Sequence, residues 1–256
     1  VVVVGAGLSG LWAAHELRKR TNLSVLVLEG RERVGGRLES VNPGTADAFD
    51  LGGHWVGSNQ YHILAALKEL GKETYKQYTT GTKILDMDGR VRPYESSLPN
   101  LPLIQEANFA LFALLAEHSL KAIPRDAPYN YSRAAHFDGM TLDSFCSAFP
   151  WMKETRELVV AATQTIFAKS PAELSALQFL HYAACAGGLN PLLDASPGGG
   201  QEFKVRGGTQ AIPMAAAQGV DVRFNTTVVG IRAAGAGGEV VVQALDGRRF
   251  VARRVV

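Results

Sequence analysis

The chain of 256 residues is 46% hydrophobic and 20% charged, enough for one large domain or for a core domain carrying a second lobe. Its 26 basic and 24 acidic residues leave a net charge of +2 with no basic run, which argues against nucleic acid as the main partner. Two cysteines, Cys146 and Cys185, without a CxxC pair, and six scattered histidines (His15, His54, His62, His118, His136 and His181) predict neither a disulfide framework nor a metal site.

Val1-Val2-Val3-Val4 is a β-branched run, the pattern of a strand buried on both faces. No Met precedes it, so this end is expected to be cut, and no signal peptide is visible. Gly5-Ala6-Gly7-Leu8-Ser9-Gly10 follows at once, then an amphipathic helical pattern through Leu11, Ala14, Leu17 and Arg18. Ser24-Val25-Leu26-Val27-Leu28 predicts a second strand, which ends at Glu29. In such a β-α-β unit Gly5 permits the tight turn, Gly7 lets the backbone approach a pyrophosphate, and Gly10 lets the helix pack on the strand. The helix N-terminus then offers unsatisfied N–H groups and partial positive charge to the phosphates. Glu29, nineteen residues past Gly10, is placed to accept from ribose hydroxyls. GxGxxG alone is a weak signal; with strand, helix and acid in place it predicts dinucleotide binding.

Glu29-Gly30-Arg31-Glu32-Arg33-Val34-Gly35-Gly36-Arg37 comes next. Gly35 and Gly36 allow another close backbone approach, and Arg31 and Arg37 can offset pyrophosphate charge. The stretch closely resembles the E-x-R-x-R-x-G-G-R segment that follows the second strand in flavin amine oxidases, which favours FAD over NAD. Asp50-Leu51-Gly52-Gly53-His54-Trp55-Val56-Gly57 resembles the D-L-G-G-x-[WY]-V-G segment of the monoamine oxidase family, which passes near the flavin ring. Gly52 and Gly53 are the better candidates for flavin approach. Trp55 is expected in the core of a structural turn, and His54 is expected to be a bystander rather than a catalytic base. By carry-over, Leu8, Ser9, His54 and Trp55 join the glycines beside the cofactor.

Residues 61–70 predict a helix through Ile63, Leu64, Leu67 and Leu70, stopped by Gly71. Residues 84–91 predict a β-hairpin with an Asp88-Gly89 turn. A largely helical stretch over 103–187 is broken by Pro124, Pro128, Pro150 and Pro171. Its most apolar part, 103–123, contains Gln105, Glu106, Asn108, Glu117 and His118. It falls short of the roughly 20 apolar residues a membrane span needs, so the fragment is expected to be soluble. Gly198-Gly199-Gly200-Gln201-Glu202-Phe203-Lys204-Val205-Arg206-Gly207-Gly208-Thr209-Gln210 resembles the G-G-x-Q-E-x-x-F-x-G-G-x-x-Q stretch of monoamine oxidases, with the aromatic shifted. A short helix then leads to a strand over 220–224. Strands over 228–231, 239–244 and 249–256 follow, joined by a Gly/Ala turn at 233–238 and an Asp-Gly turn; the last run stops at Val256 as if cut.

Four separated motifs thus agree in order with the flavin-containing amine oxidases. The resemblance implies an α/β, Rossmann-like FAD-binding domain with a mixed α+β substrate lobe inserted, truncated at the C-terminus. The expected division is an FAD-binding core over 1–80, a largely helical insert over 81–200, and a β-meander returning to the core over 201–256. It implies FAD-dependent oxidation of a primary monoamine by O2 to an aldehyde, ammonia and hydrogen peroxide, with the amine and O2 as partners. Residues 170–177 and 187–193 sit where the family builds its substrate lobe. By carry-over Gln201 lines the amine channel near the flavin, Leu192 and Leu193 stand at its entrance or gate, Thr165 and Ile166 form cavity wall, and Val228 contacts the adenine. No catalytic residue is expected in this half: the flavin-contacting lysine, the aromatic pair and the C-terminal flavin motif lie beyond Val256. So does the cysteine that binds FAD covalently in animal monoamine oxidases, which neither Cys146 nor Cys185 matches. Covalent attachment, a homodimer and a mitochondrial outer-membrane anchor stay open, although His54-Trp55 and residues 189–193 look closer to the microbial type.

Other readings share the fold. An L-amino-acid oxidase needs an arginine clamp that is not identifiable in this half. A polyamine oxidase lines its tunnel with acids, where 189–201 offers only Asp194. Carotenoid and porphyrinogen oxidases and a histone demethylase are further relatives. A non-enzymatic module like the GDP-dissociation inhibitors has no physical need of a phosphate cradle.

Overall fold

A computed structural model of the chain describes residues 1–87, 89–95, 99, 101–149, 151–234 and 238–256. Asp88 of the predicted Asp-Gly turn, the predicted helix break Pro150, and Gly235, Ala236 and Gly237 of the Gly/Ala turn lie outside them. The chain divides into two compact units, one made of Val1–Val56, Gln60–Lys76 and Phe203–Val256, the other of Gly57–Asn59 and Gln77–Glu202.

The first unit begins with β1 (Val2–Val4), α1 (Leu8–Arg20) and β2 (Leu26–Leu28). Val3 packs with Ala6, Leu11, Ala14, Val27 and Ala216, whereas Val2 packs with Leu28 and Val242. Successive strand residues point to opposite faces, so Val2 and Val3 bury β1 on both, as the valine run predicts, whereas Val4 at its end is exposed. Helix α1 starts at Leu8, inside the glycine motif rather than after it, and buries Leu11 and Ala14. Short strands β3 (Ser40–Val41) and β4 (Phe49–Asp50) pair antiparallel, and α2 (Tyr61–Glu69) and β5 (Thr74–Lys76) complete this stretch.

The second unit opens with the hairpin β6 (Lys83–Met87) and β7 (Arg90–Tyr94). Helices α3 (Leu103–Lys121), α4 (Ala134–Asp138), α5 (Leu142–Ser147), α6 (Lys153–Phe167), α7 (Ala176–Ala186) and α8 (Leu189–Leu193) follow, with single 3-10 turns at Pro128–Asn130 and Pro171–Glu173. Their shared core holds Phe112, Ala116 and Leu120 of α3, Leu142 and Cys146 of α5, Val159 of α6, and Phe179, Leu180 and Ala183 of α7. Trp151 meets Phe112 edge-on at 5.5 Å, a favoured aromatic geometry. Asn108 of α3 satisfies the start of α6: its Oδ1 accepts from Met152 N (3.0 Å) and Thr155 Oγ1 (2.8 Å). Among the described residues no helix is long and apolar enough to cross a membrane.

The chain returns to the first unit through β8 (Phe203–Val205), paired antiparallel with β5, then α9 (Ala211–Ala216) and β9 (Asp221–Arg223). A three-stranded antiparallel meander follows: β10 (Val228–Ala234), β11 (Glu239–Ala244) and β12 (Arg249–Ala252). The single strand expected over 249–256 is in fact two pieces. Arg249–Ala252 pairs with β11, and Val255 bridges β1 in parallel, with Val2 N donating to Arg254 O (3.0 Å) and Val4 N to Val256 O (2.8 Å). The bend is forced because the two halves satisfy different sheets.

The parallel sheet therefore runs β9, β2, β1, then Val255 on the other edge of β1. Strand order reverses at β1, and the crevice beyond the carboxyl end of such a strand is where open α/β sheets bind ligands.

Burial pushes the Cys146 thiol up to about 12, with the neighbouring Asp143 carboxylate adding to the rise, whereas Cys185 is exposed. At pH 8 roughly one part in ten thousand of Cys146 is thiolate, the reactive form. Brief labelling of the folded protein with a thiol reagent, read by peptide mass mapping, is expected to modify Cys185 and spare Cys146 until denaturant is added.

Candidate cofactor site

The turn between β1 and α1 occupies that crevice, and its three glycines are glycine for three different reasons. Gly5 has φ +99°, a conformation that side chains resist, and its N–H donates to Leu28 O at 2.8 Å. Gly10 has an ordinary helical backbone, but a Cβ there would stand 2.1 Å from Gly5 O and 3.2 Å from Val3 Cγ1. Helix and strand touch at that point. Gly7 needs neither excuse: its φ is −72°, and a Cβ would meet no protein atom within 4 Å. The space beside Gly7 is open.

Gly7 is also the N-cap of α1, with no side-chain cap, and the first turn carries no acid. A helix start leaves backbone N–H groups unsatisfied and carries partial positive charge. Nothing in the first turn neutralises it, while Arg18, Lys19 and Arg20 complement the opposite end. Such an end suits a phosphate.

Glu29 ends β2 and is 9% exposed. Its Oε2 accepts from Ala6 N at 2.7 Å, in the glycine turn, and its Oε1 from Arg31 N at 2.9 Å. Its backbone N–H donates to Arg223 O (2.9 Å), and its carbonyl accepts from Thr226 N (2.8 Å). The carboxylate placed by sequence for a ribose is thus first a tie between four segments. Each carboxylate oxygen has a second lone pair, so acceptance from a ligand hydroxyl remains open to it.

Gly35 bridges Gly7 and donates from its N–H to Ala6 O at 2.8 Å, and a Cβ on Gly36 would lie 3.4 Å from Gly7 Cα. The second glycine pair therefore backs the first. Arg31 Nη1 donates to Gly36 O at 3.3 Å, and Arg33 donates to Gly36 O (3.2 Å) and pairs with Glu39. Arg37 is exposed and, among the described residues, its guanidinium has no partner.

The Asp50-to-Gly57 segment departs from expectation at two residues. A Cβ on Gly52 would stand 2.0 Å from Arg37 O, so this glycine is required by the protein's own backbone. Trp55 is 39% exposed and not in the core, because Val56 takes the inward place (3% exposed) and pairs with Phe203. In extended backbone the neighbour must then point out. Its ring lies 4.0 Å from that of His54, whose Nδ1 is 3.1 Å from Gly52 O. A carbonyl only accepts, so Nδ1 carries the proton. Gly53 is exposed, and a Cβ there would touch Leu38 Cδ2 at 3.4 Å.

Val228 opens β10 directly after Thr226-Thr227, which pack on the end of β2: Asn225 N donates to Arg31 O (3.1 Å), and a Cβ on Gly30 would reach Thr227 Oγ1 at 3.1 Å. Glu29, Arg31 and Val228 are thereby drawn to one end of the site, and Leu8, half-buried, packs against Val56, Leu67, Val205 and Ile212 at the other side of the turn. Ser9 is exposed in the first turn of α1.

In the second unit, Leu192 and Leu193 lie on α8, and Gln201 is bonded to that helix's end: Gln201 N donates to Asp194 O at 3.1 Å. Thr165 and Ile166 sit near the end of α6, with Thr165 exposed and its hydroxyl donating to Ala161 O (2.8 Å). His15, Glu16 and Glu69 lie near one another, but Glu69 pairs with Lys19 (2.7 Å) and Glu16 with Arg20. Hydrogen bonds from Lys19 and then His15 hold Glu69 below the usual carboxylate range.

Residues 8–256 match the family described as flavin containing amine oxidoreductase. The chain belongs to this family. Among curated relatives, a Mycobacterium tuberculosis protein named as a flavin-containing monoamine oxidase, AofH, is 35% identical over 93% of this chain and 52% of its own length. Bos taurus amine oxidase [flavin-containing] B is 36% identical over 82% of this chain and 40% of its own. The chain spans about half the length of the curated relatives it matches. The solved structure of putrescine oxidase bound to putrescine is 27% identical, with a TM-score of 0.88 over 99% of this chain and 56% of that one. Cyclohexylamine oxidase from Brevibacterium oxydans, 24% identical with a TM-score of 0.87, shares the fold.

Within this flavin-containing family member, the residues that brace the site were not singled out by sequence. Asp50 Oδ1 accepts from Ser40 Oγ (2.6 Å) and Thr209 N (2.8 Å). Thr209 Oγ1 lies 2.6 Å from Gly53 O and 3.0 Å from Asp50 Oδ1, and gives its one proton to either. Buried Gln210 bridges the arginine segment, donating to Val34 O (2.8 Å) and accepting from Ser40 N (2.9 Å). The signals in the sequence are Asp50 at the head of the Asp50-to-Gly57 segment and the Gly207-Gly208-Thr209-Gln210 run, which carry the family likeness and not the partners.

The glycine geometry separates two substitutions. Gly10→Ala is expected to destabilise the first unit by about 1–3 kcal/mol, the usual result of overpacking. Gly7→Ala, whose methyl meets only open space, should stay within about 1 kcal/mol, the difference between glycine and alanine at an N-cap. Chemical denaturation of the two variants beside the parent measures both.

Proposed function

We propose that the complete protein is an FAD-dependent amine oxidase that converts a primary monoamine, water and O2 to an aldehyde, ammonia and hydrogen peroxide. The observation that carries the reading is the open space at Gly7 in front of an uncapped, acid-free helix start. A glycine that its own protein does not require is explained by a ligand whose phosphates come within van der Waals reach of the backbone.

In this reading Gly5, Gly7, Leu8, Ser9 and Gly10 hold the pyrophosphate, with Gly35 and Gly36 behind them. Arg37, which has no partner among the described residues, offsets its charge, and Arg31 assists. Glu29 accepts from the ribose while bracing the turn, and Val228 contacts the adenine. Gly52, Gly53, His54 and Trp55 lie along the flavin side, with the exposed Trp55 ring offering it an apolar surface. When bound, FAD supplies the two-electron acceptor that the amine's α-carbon needs and that oxygen later discharges. This chain's own residues bind, orient and exclude water; among them Gln201 directs the amine, Leu192 and Leu193 gate its entry, and Thr165 and Ile166 form cavity wall.

A monoamine is favoured by the Mycobacterium tuberculosis relative named as a flavin-containing monoamine oxidase, at 35% identity. The likeness to putrescine oxidase supports a second reading, a diamine substrate, whose far ammonium needs a carboxylate partner. Asp194 is the one acid in 189–201, and its Oδ1 already accepts from Ser196 N at 2.9 Å.

Anaerobic visible spectra of the purified complete protein, taken before and after benzylamine, tyramine, putrescine or leucine, test the reading. Bleaching of a flavin band by the monoamines is expected; bleaching by putrescine alone would favour the second reading, and no flavin band at all would remove both. Gly7→Ala should bind FAD at least about tenfold more weakly while keeping the parent's folding stability, since a methyl group would occupy the phosphate approach. Parent-like FAD affinity in a titration of the two apoproteins would take Gly7 out of the site.

A further inference from the structure

Glu117 lies on α3 and takes no part in the site described so far. Its Oε1 accepts from Leu189 N at 2.7 Å. Leu189 is the first residue of α8, where a helix leaves N–H groups without partners, and the N-cap before it, Gly188, has no side chain to serve them. The carboxylate reaches across from another helix and serves in its place.

The surroundings make that contact specific. Gly187 (φ +94°) closes α7 and Gly188 (φ +132°) opens α8, so two glycines in left-handed conformations form the whole connection. A Cβ on Gly188 would stand 2.9 Å from Glu117 Oε1, so the glycine leaves the space that the carboxylate fills. Gly187 N donates to Ala184 O (3.2 Å) and Gly188 N to Ala183 O (2.9 Å), which close the joint onto α7, and Glu117 is the side chain that meets the first N–H of α8 beyond it. The far end of α8 carries the substrate candidates, with Leu192 packed against the same apolar core as Leu189. Pro191 O accepts from Gly200 N at 2.7 Å, and Asp194 O accepts from Gln201 N at 3.1 Å. Gly199 sits so close that a Cβ would be 2.0 Å from Asp194 O. Leu192, Leu193 and Gln201 therefore ride on one hydrogen-bonded piece, and α3 holds its leading end through Glu117.

We infer that Glu117 is a positioning residue for substrate selection: through Leu189 N it fixes the pose of α8, and with it the gate residues and Gln201. The inference rests on the amine-oxidase reading and on the roles given there to Leu192, Leu193 and Gln201. It predicts loss of selectivity toward bulky amines, with the chemical step and the flavin left in place.

The test compares Glu117→Gln, Glu117→Asp and Leu193→Ala in the complete, FAD-loaded protein, by steady-state kinetics with propylamine and benzylamine and by thermal unfolding. Glutamine keeps an oxygen at the right reach without the charge. Aspartate keeps the charge but is one methylene too short. Glu117→Asp is expected to raise KM for benzylamine about tenfold relative to propylamine with kcat little changed, the size of effect a lost hydrogen bond to a charged group produces. Glu117→Gln should stay close to the parent. The reverse pattern, or a parent-like Glu117→Asp beside a Leu193→Ala that does shift the size preference, overturns the positioning role alone. A Leu193→Ala variant with the parent's preference removes the gate and the inference with it, and a parent protein that oxidises neither amine removes the amine-oxidase reading itself.

Discussion

Four hydrogen bonds meet at Glu29. One carboxylate oxygen holds the glycine turn at Ala6, the other holds the start of the arginine segment at Arg31, and the backbone joins Arg223 of β9 to Thr226 before β10. A carboxylate so little exposed is tolerated only when its oxygens are engaged, and here backbone N–H groups engage them. Removing it would strand two N–H groups, each unsatisfied buried group costing about 1–3 kcal/mol. The cradle at Gly7 has its shape because this acid stands behind it.

Around that tie the first unit is braced by polar side chains from distant parts of the chain. Gln210 reaches Val34 and Ser40, and Thr209 reaches Asp50 and Gly53. These segments have short strands and little apolar surface of their own, so directional hydrogen bonds fix them where packing cannot. The contacts between backbones are closer still: Gly10 against Gly5, and Gly52 against Arg37. Any side chain at Gly10 or Gly52 would part the elements that form the site.

The second unit follows another rule. Its helices are held by one apolar core from Phe112 to Leu189, and polar groups appear where helices start: Asn108 for α6 and Glu117 for α8. Packing sets which faces meet, while these two side chains of α3 set where the next helix begins. That division lets α8 be short, joined by two glycines, and still have a defined direction.

Local patterns in the sequence determined the β-α-β unit, the glycine motif with its terminal acid, and the alternation of strands and helices with their breaks. These are written within a few residues of one another, so periodicity and turn chemistry report them. The family likeness added the flavin. The sequence could not determine the long-range partners: Gln210 lies 170 residues from Ser40, and Glu117 lies 72 from Leu189. Nor could it tell that Gly7 is glycine for the sake of open space while Gly10 and Gly52 answer to a carbonyl of the protein itself. Trp55 was misplaced for the same reason, since an aromatic beside glycines is ambiguous until pairing with Phe203 turns Val56 inward. A residue's type records what it can do; which of its neighbours holds it to one task is settled only when the chain has folded.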